Sequence, residues 1–296
     1  MDVSIIIVSF NIKNLLKNCL TSIFNITKEI EYEVIVVDNT SIDGTLEMIE
    51  SDFPDVILVR NKTNKGFGIA NNEGVKISHG RNIFFLNPDT ILLNNAVKEL
   101  SDYLDRNPNV GAVGGNLFNS DLKPAHSFKR YFPSIFWEVN ELFCGFPEKL
   151  LYGRSVQFNY TNNPVDVAFL TGADLMIPRR VFDLAGGFDK RFFMYFEESD
   201  FEKRIAKLKY KRVCVPTSKI IHLEGGSIKN DEEKIEFYLK GRQHYLKSNL
   251  NPFSKSLCNV VFFIKIYSRI IIFVILFNKQ KIDYWIKMRA LFKCNH

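Results

Sequence analysis

Three short stretches set ligating or titratable side chains where a fold would leave them open to a ligand. Asn87-Pro88-Asp89 closes the apolar run Asn82–Asn87 and places a bare carboxylate just past it. An oxygen there suits a hard divalent cation, which takes one or two carboxylates and keeps waters. The same three residues also make an ordinary turn. Phe196–Asp200, "FEESD", crowds Glu197, Glu198 and Asp200 at the opening of a helical pattern. Such an acid can take a proton from a nucleophile, a contribution of ~10²–10⁴-fold, or simply complement a helix dipole. His222 follows the apolar end of a strand pattern. Imidazole ligates Mn²⁺ well and Mg²⁺ poorly, and a lone histidine is as often structural.

The elements that must carry these residues alternate regularly. Val3–Phe10 and Tyr32–Thr40 are nearly continuous apolar runs rich in β-branched residues, followed by Val56–Asn61 and Asn82–Asn87. They predict strands buried on both faces. Helical spacing falls between them, at Leu15–Phe24, Leu46–Ile49, Asn64–Ser78 and then Ala96–Leu104. The order βαβαβαβα predicts an α/β fold with a parallel sheet between helices. Such sheets bind ligands beyond the carboxyl ends of their strands. Ser9 and Asn11, Asp38 and Asn39, and Asn87 and Asp89 all sit at those ends. The second half is less regular. Val165–Pro178 predicts strand, turn, strand, Arg179–Leu184 a helix, and Phe201, Ile205 and Leu208 one face of another. A strand with a proline break is expected before His222.

Composition narrows the class. The 296 residues are 46% hydrophobic and 24% charged, as in globular proteins. Five scattered cysteines without a CxxC pair predict neither a disulfide framework nor a zinc site, and fit a reducing cytoplasm. No signal peptide is expected from the opening residues. The net charge of +6 is uneven: residues 251–296 hold eight Lys/Arg and one acid, leaving 31 basic against 32 acidic residues in the body. A neutral body without a basic face argues against nucleic acid. There is no Walker A sequence, no GxSxG, and "GFG" lacks the spacing of a dinucleotide fingerprint.

"VSIIIVSFN", "VIVVDNTSIDGT", "NKGFGIANNEG", "FFLNPD", "FLTGADLMIPRRVFDLAGGFDKRFFMYFEESDFEKR" and "IIHLEGGS" follow one another between about residues 3 and 230. In that order they resemble the inverting glycosyltransferases of family 2, most closely the rhamnosyltransferase-like branch. The resemblance implies a GT-A fold, Rossmann-like, with a mostly parallel mixed sheet. It implies a nucleotide-diphosphate sugar donor, best guessed as dTDP-L-rhamnose, and a lipid-linked or polysaccharide acceptor hydroxyl. Asp89 would belong to the DxD motif and hold Mg²⁺ or Mn²⁺, with His222 closing the site; Asn87 replaces the first acid. A cation there would offset the charge growing on the leaving diphosphate. Glu198 would be the general base. Asp38 would accept the imide N–H of uracil or thymine, flanked by Ser9 and Asn11, with Asn64, Gly66, Asn71 and Asn87 along the nucleotide. Gly172, Ala173, Asp174, Glu197 and Asp200 would lie near sugar and acceptor. Two alternatives stay open: a UDP-hexose or UDP-galactofuranose donor, and a non-catalytic membrane-bound binding or scaffold protein.

The expected division is a glycosyltransferase domain over 1–250 and a basic, apolar helical tail over 251–296. Ser256–Asn278 is the most apolar stretch, interrupted by Lys265 and Arg269. Charges near the centre disfavour a span. The expectation is a helix lying on the cytoplasmic face of the cell membrane, with the Lys265/Arg269 stripe toward anionic headgroups. A packed helix or homodimer surface is the alternative.

Overall fold

The computed structural model describes residues 1–223 and 230–294; Glu224–Ser227 of the last motif lie outside the described residues. β1 (Val3–Ser9), α1 (Lys13–Ile26), β2 (Tyr32–Asp38), α2 (Thr45–Asp52), β3 (Ile57–Arg60), α3 (Phe67–Ile77) and β4 (Asn82–Leu86) alternate as the periodicity requires. Their strands lie parallel in the order β3-β2-β1-β4, with Ile5 opposite Val34 on one side and Phe84 on the other. Residue alternation splits β1 between two cores. Ile5 and Ile7 pack with Leu16, Leu20 and Ile23 of α1, while Ile6 packs with Ala70 and Val75 of α3.

Next come β5 (Thr90–Leu92), α4 (Ala96–Arg106), β6 (Val110–Phe118), β7 (Phe128–Lys129), α5 (Ile135–Leu142) and α6 (Phe146–Tyr152). β8 (Val165–Asp166), β9 (Phe169–Leu170), β10 (Asp174–Pro178), α7 (Arg179–Ala185), α8 (Glu197–Lys207) and β11 (Lys211–His222) follow. The sheet extends past β4 through β10, β6, β11 and β5, with β8 on β11, to nine strands; β7 and β9 form a small second sheet. β10 runs antiparallel to β4, which makes the sheet mixed.

Two elements differ from expectation. β6 carries three glycines in nine residues, which erase its hydrophobic signal. Packing explains Gly115: a Cβ there would lie 2.5 Å from the Ser218 carbonyl oxygen. β11 continues through Pro216 instead of breaking, and its register with β6 shifts between Cys214 and Lys219. The irregularity absorbs the N–H that proline lacks.

The chain ends in α9 (Asp231–Asn249), α10 (Pro252–Ile275) and α11 (Lys279–Cys294). Ile235 and Leu239 of α9 share a core with Phe262 and Ile266 of α10 and Met288 and Phe292 of α11. The expected headgroup-facing stripe is corrected here. Lys265 is buried with its ammonium 4.5 Å from the Phe262 ring centre. Arg269 donates to the carbonyls of Glu141 and Leu142 at 2.7 and 3.0 Å. Both charges turn inward because α5 supplies helix-end carbonyls with capacity to accept and the aromatic core supplies a ring face.

Arg242 fastens these helices to the body. Its guanidinium is buried and donates to Glu138 Oε1 at 2.7 Å, Asn259 Oδ1 at 2.9 Å and the Cys258 carbonyl at 3.0 Å. Removing one member of a buried pair leaves the other charge uncompensated, at about 3–5 kcal/mol. Arg242→Met is therefore expected to lose about that much stability in urea denaturation, while Lys240→Met on the exposed side of α9 stays near wild type.

Candidate active site

The carboxyl ends of β1, β2 and β4 open into a cleft of about 550 Å³ walled in part by Phe10, Asn64, Gly66, Asn87, Asp89 and His222. Register brings the last three together. β11 pairs antiparallel with β5, setting His222 opposite Thr90. The intervening turn is pinned by the Asn87 carbonyl accepting from Thr90 Oγ1 at 2.7 Å, and by Asn87 N donating to Ala173 O at 2.9 Å. His222 Nε2 then lies 3.3 Å from Asp89 Oδ1 and 3.4 Å from Asn87 Nδ2. Ala173 thus contributes its carbonyl to the turn.

Among the described residues no group of three or more His, Cys, Asp and Glu converges. One carboxylate, one imidazole and one amide meet instead. That sparse oxygen and nitrogen set fits a divalent cation that completes its shell with water and ligand oxygens.

The expected nucleotide residues divide into two groups. Asp38 is buried, accepts Ser41 N at 2.9 Å through Oδ2, and leaves Oδ1 without a partner; Ser9 Oγ is likewise buried and unpartnered. Buried polar atoms are nearly always satisfied, and these two exceptions face each other in register at the carboxyl ends of β1 and β2. Asn64 Oδ1 accepts Gly66 N at 2.9 Å and shapes the cleft loop. Gly66 has φ 78°, and a Cβ there would meet the Phe193 carbonyl oxygen at 2.2 Å, so only glycine fits. Asn11 and Asn71 are scaffolding. Asn11 accepts Ile42 N at 2.8 Å, and buried Asn71 donates to Phe67 O at 3.1 Å within α3.

Phe193, Met194 and Tyr195 form a second wall and lead into α8, which begins with three acids. Two consecutive non-glycine residues in the left-handed region, Tyr195 at φ 69° and Phe196 at φ 70°, turn the chain into it. Such strain persists only where packing over-determines it. Gly241 supplies that packing by admitting α9 close to the Tyr195 carbonyl oxygen, 2.5 Å from where a Cβ would stand. Glu198 is half-buried, and burial pushes its carboxyl above the ordinary value against bonds from Ser199 and the backbone. Glu197 is raised further, by burial first and then by the neighbouring Glu198 charge. Gly172 lies beside Glu198: a Cβ there would be 3.8 Å from Glu198 Cβ and 3.6 Å from the Phe67 ring.

Two expected acceptor residues are engaged elsewhere. Asp174 is wholly buried and accepts Gly115 N at 2.5 Å, linking β10 to β6. Desolvation holds its carboxyl well above the usual range. Asp200 accepts Arg204 Nε at 2.9 Å and Asn249 Nδ2 at 2.7 Å, tying α8 to the end of α9.

Three cleft residues had no signal in the strand exits. Glu233, Lys234 and Phe237 reach in from α9, and Phe237 stacks on Phe193 with centroids 4.5 Å apart. They lie beyond the motif-bearing stretch, on a helix whose cleft-facing side follows only from its packing.

The sequence profile "Glycosyl transferase family 2" matches residues 4–161, more than half the chain. The chain belongs to glycosyl transferase family 2, with a GT-A fold and the features of its rhamnosyltransferase-like branch; it is a glycosyltransferase acting in glycan synthesis. It is 27% identical over 220 residues to the N-acetylglucosaminyl-diphospho-decaprenol L-rhamnosyltransferase of Mycobacterium tuberculosis, covering 67% of this chain and 68% of that one. The mannosyltransferase PcManGT of Pyrobaculum calidifontis, solved with GDP-Man and Mn²⁺, shares the fold at TM-score 0.58 and 15% identity, over 98% of this chain and 86% of that one. GalNAc-T7, solved with UDP, GalNAc and Mn²⁺, aligns at TM-score 0.57 and 18% identity over 80% of this chain, which spans 47% of that longer protein.

Lys234 is the cleft ammonium, with no side-chain hydrogen bond or ion pair among the described residues. A charge-assisted bond to a diphosphate is worth about 1.5–3 kcal/mol. An ammonium that meets a diphosphate would show itself in calorimetric titration of Lys234→Met, with nucleoside diphosphate bound about tenfold or more weakly. Binding of the bare nucleoside should be unchanged.

Proposed function

We propose that the chain is an inverting, metal-dependent glycosyltransferase moving L-rhamnose from a dTDP donor to a hydroxyl of a lipid-linked or polysaccharide acceptor. The observation that carries this reading is that Asn87, Asp89 and His222 meet in one cleft, while Gly172 lies beside both Glu198 and the cleft residue Phe67. The name of the mycobacterial relative supports rhamnose and a lipid-linked acceptor, and the nucleotides and Mn²⁺ in the two structures support a nucleotide donor.

Each residue has a task. Asp38 Oδ1 and Ser9 Oγ would meet the base, and the Asn64–Gly66 loop would follow the nucleotide. Lys234 would face the diphosphate. Asp89 and His222 would hold a divalent cation, which when bound neutralises part of the diphosphate charge. Glu198 would accept the hydroxyl proton as that oxygen attacks. A carboxyl raised by desolvation is the stronger base once ionised. Both alternatives keep a place. The UDP in the GalNAc-T7 structure favours testing UDP-hexose and UDP-galactofuranose donors. A scaffold would have no use for Glu198. We further read α10, apolar and 24 residues long, as a peripheral anchor on the cytoplasmic face of the membrane.

A donor panel with and without Mg²⁺ or Mn²⁺ tests this directly. Transfer is expected from dTDP-L-rhamnose, to be abolished by chelation and to fall at least ~10²-fold in Glu198→Gln and in Asp89→Ala. Undiminished transfer by either clean variant contradicts the mechanism; transfer from a UDP sugar alone replaces the donor. The base works ionised, and its pKa is raised, so wild-type activity should fall as pH drops through a value above the ordinary 4.5 of a glutamate. The residual activity of Glu198→Gln should lack that acidic limb.

A further inference from the structure

Two helices far apart in the chain are built inside out. In α6 the one acid points inward and the one lysine, Lys149, outward among apolar side chains. Glu148 is buried, accepts the Tyr131 hydroxyl, and its N–H donates to Asn140 Oδ1 at 3.0 Å. The residues turned outward are Phe146, Leu150 and Leu151, at 66%, 76% and 62% exposure. α10 shows the same inversion. Lys265 and Arg269 face protein, while Val260, Ile264, Ile271 and Ile275 are exposed. A helix on a water-facing surface would carry the opposite pattern.

Arg269 joins the two faces. It holds the last carbonyls of α5, Glu141 and Leu142, and the exposed Phe143 follows at once. The start of the α6 hairpin is thus fixed within one arginine's reach of α10. Soluble monomers rarely expose contiguous apolar patches beyond a few hundred Å². The surroundings say what covers this one. Lys149 within α6 and Lys279, Lys281, Lys287 and Lys293 along α11 are exposed, with Asp283 the sole acid from residue 251 onward. Lysines on α6 itself and on α11, which packs on α10, match anionic headgroups over acyl chains. A second copy would set like charges against each other across a two-fold interface.

We propose that α6 and the outward face of α10 form one composite docking surface for an anionic lipid bilayer, seated at the headgroup–acyl boundary. It rests on the anchoring role of α10 and adds a second, independent insertion element from the catalytic domain. Two elements fix orientation where one helix would leave the body free to swing, so the cleft would be held at a set angle to a lipid-linked acceptor.

Flotation of the full chain with vesicles of phosphatidylglycerol and phosphatidylethanolamine, against phosphatidylcholine alone, tests it. Wild type should float with the anionic vesicles. Phe146→Ser/Leu150→Ser/Leu151→Ser in α6, and Ile271→Ser/Ile275→Ser in α10, should each bind about tenfold or more weakly at unchanged Tm. Cys144 gives a second readout, because its thiol is exposed beside Phe143 whereas Cys19, Cys214 and Cys258 are buried. In a Cys294→Ser background, a solvatochromic dye on Cys144 should shift to the blue on anionic vesicles. Wild-type flotation by the α6 variant, or no spectral shift, removes the hairpin from the surface and leaves α10 as anchor. Wild-type flotation by the α10 variant removes the anchor itself. A concentration-dependent dimer dissolved by these substitutions, without vesicle binding, assigns the face to a second copy.

Discussion

A strand buried on both faces can place polar side chains only at its ends. β1, β2 and β4 are such strands, and Ser9, Asp38 and Asn87 lie together at their carboxyl ends. Everything else in the molecule is arranged around those ends. The antiparallel β10 and β11 bring Ala173 to steady the Asn-Pro-Asp turn and His222 to face Asp89. The cleft is therefore a consequence of sheet topology, and its chemistry follows from which residues occupy a few strand exits.

The entry to α8 depends on a different constraint. Glu197 and Glu198 open a helix through two left-handed residues, a conformation that needs external support. α9 supplies it through Gly241 on the Tyr195 carbonyl and Phe237 on Phe193. α9 in turn shares its core with α10 and α11 and is locked to the body by Arg242 and Glu138. The C-terminal helices thus reach the cleft: the same packing that presents an apolar face outward supports the strained entry to α8.

Much of this was legible in the residues. The alternation from Val3 to Leu104 gives four parallel strands and their helices because apolar runs and helical spacing are strong local signals there. Asp89 and His222 could be paired only through the resemblance, since 133 positions separate them and register alone makes them neighbours. β6 was hidden by glycines that close packing demands, and β11 by a proline that a register shift accommodates. Asp174 and Asp200 carry the right chemistry in the right stretch, but their side chains turn to Gly115 and to Arg204 and Asn249. Direction of a side chain is a tertiary property. Lys265 and Arg269 teach the same lesson: a charge on an apolar helix reads as solvent-facing until a ring and two helix-end carbonyls are found to receive it.

The central claim is that Glu198 and the Asn87–Asp89–His222 wall act on opposite sides of one sugar, so that the acceptor attacks the face away from the leaving diphosphate. Proton NMR of the glycoside formed by purified protein, read at the anomeric centre against the donor, tests this most directly. An anomeric configuration opposite to that of the donor is the predicted result. A product that keeps the donor's configuration would contradict the account.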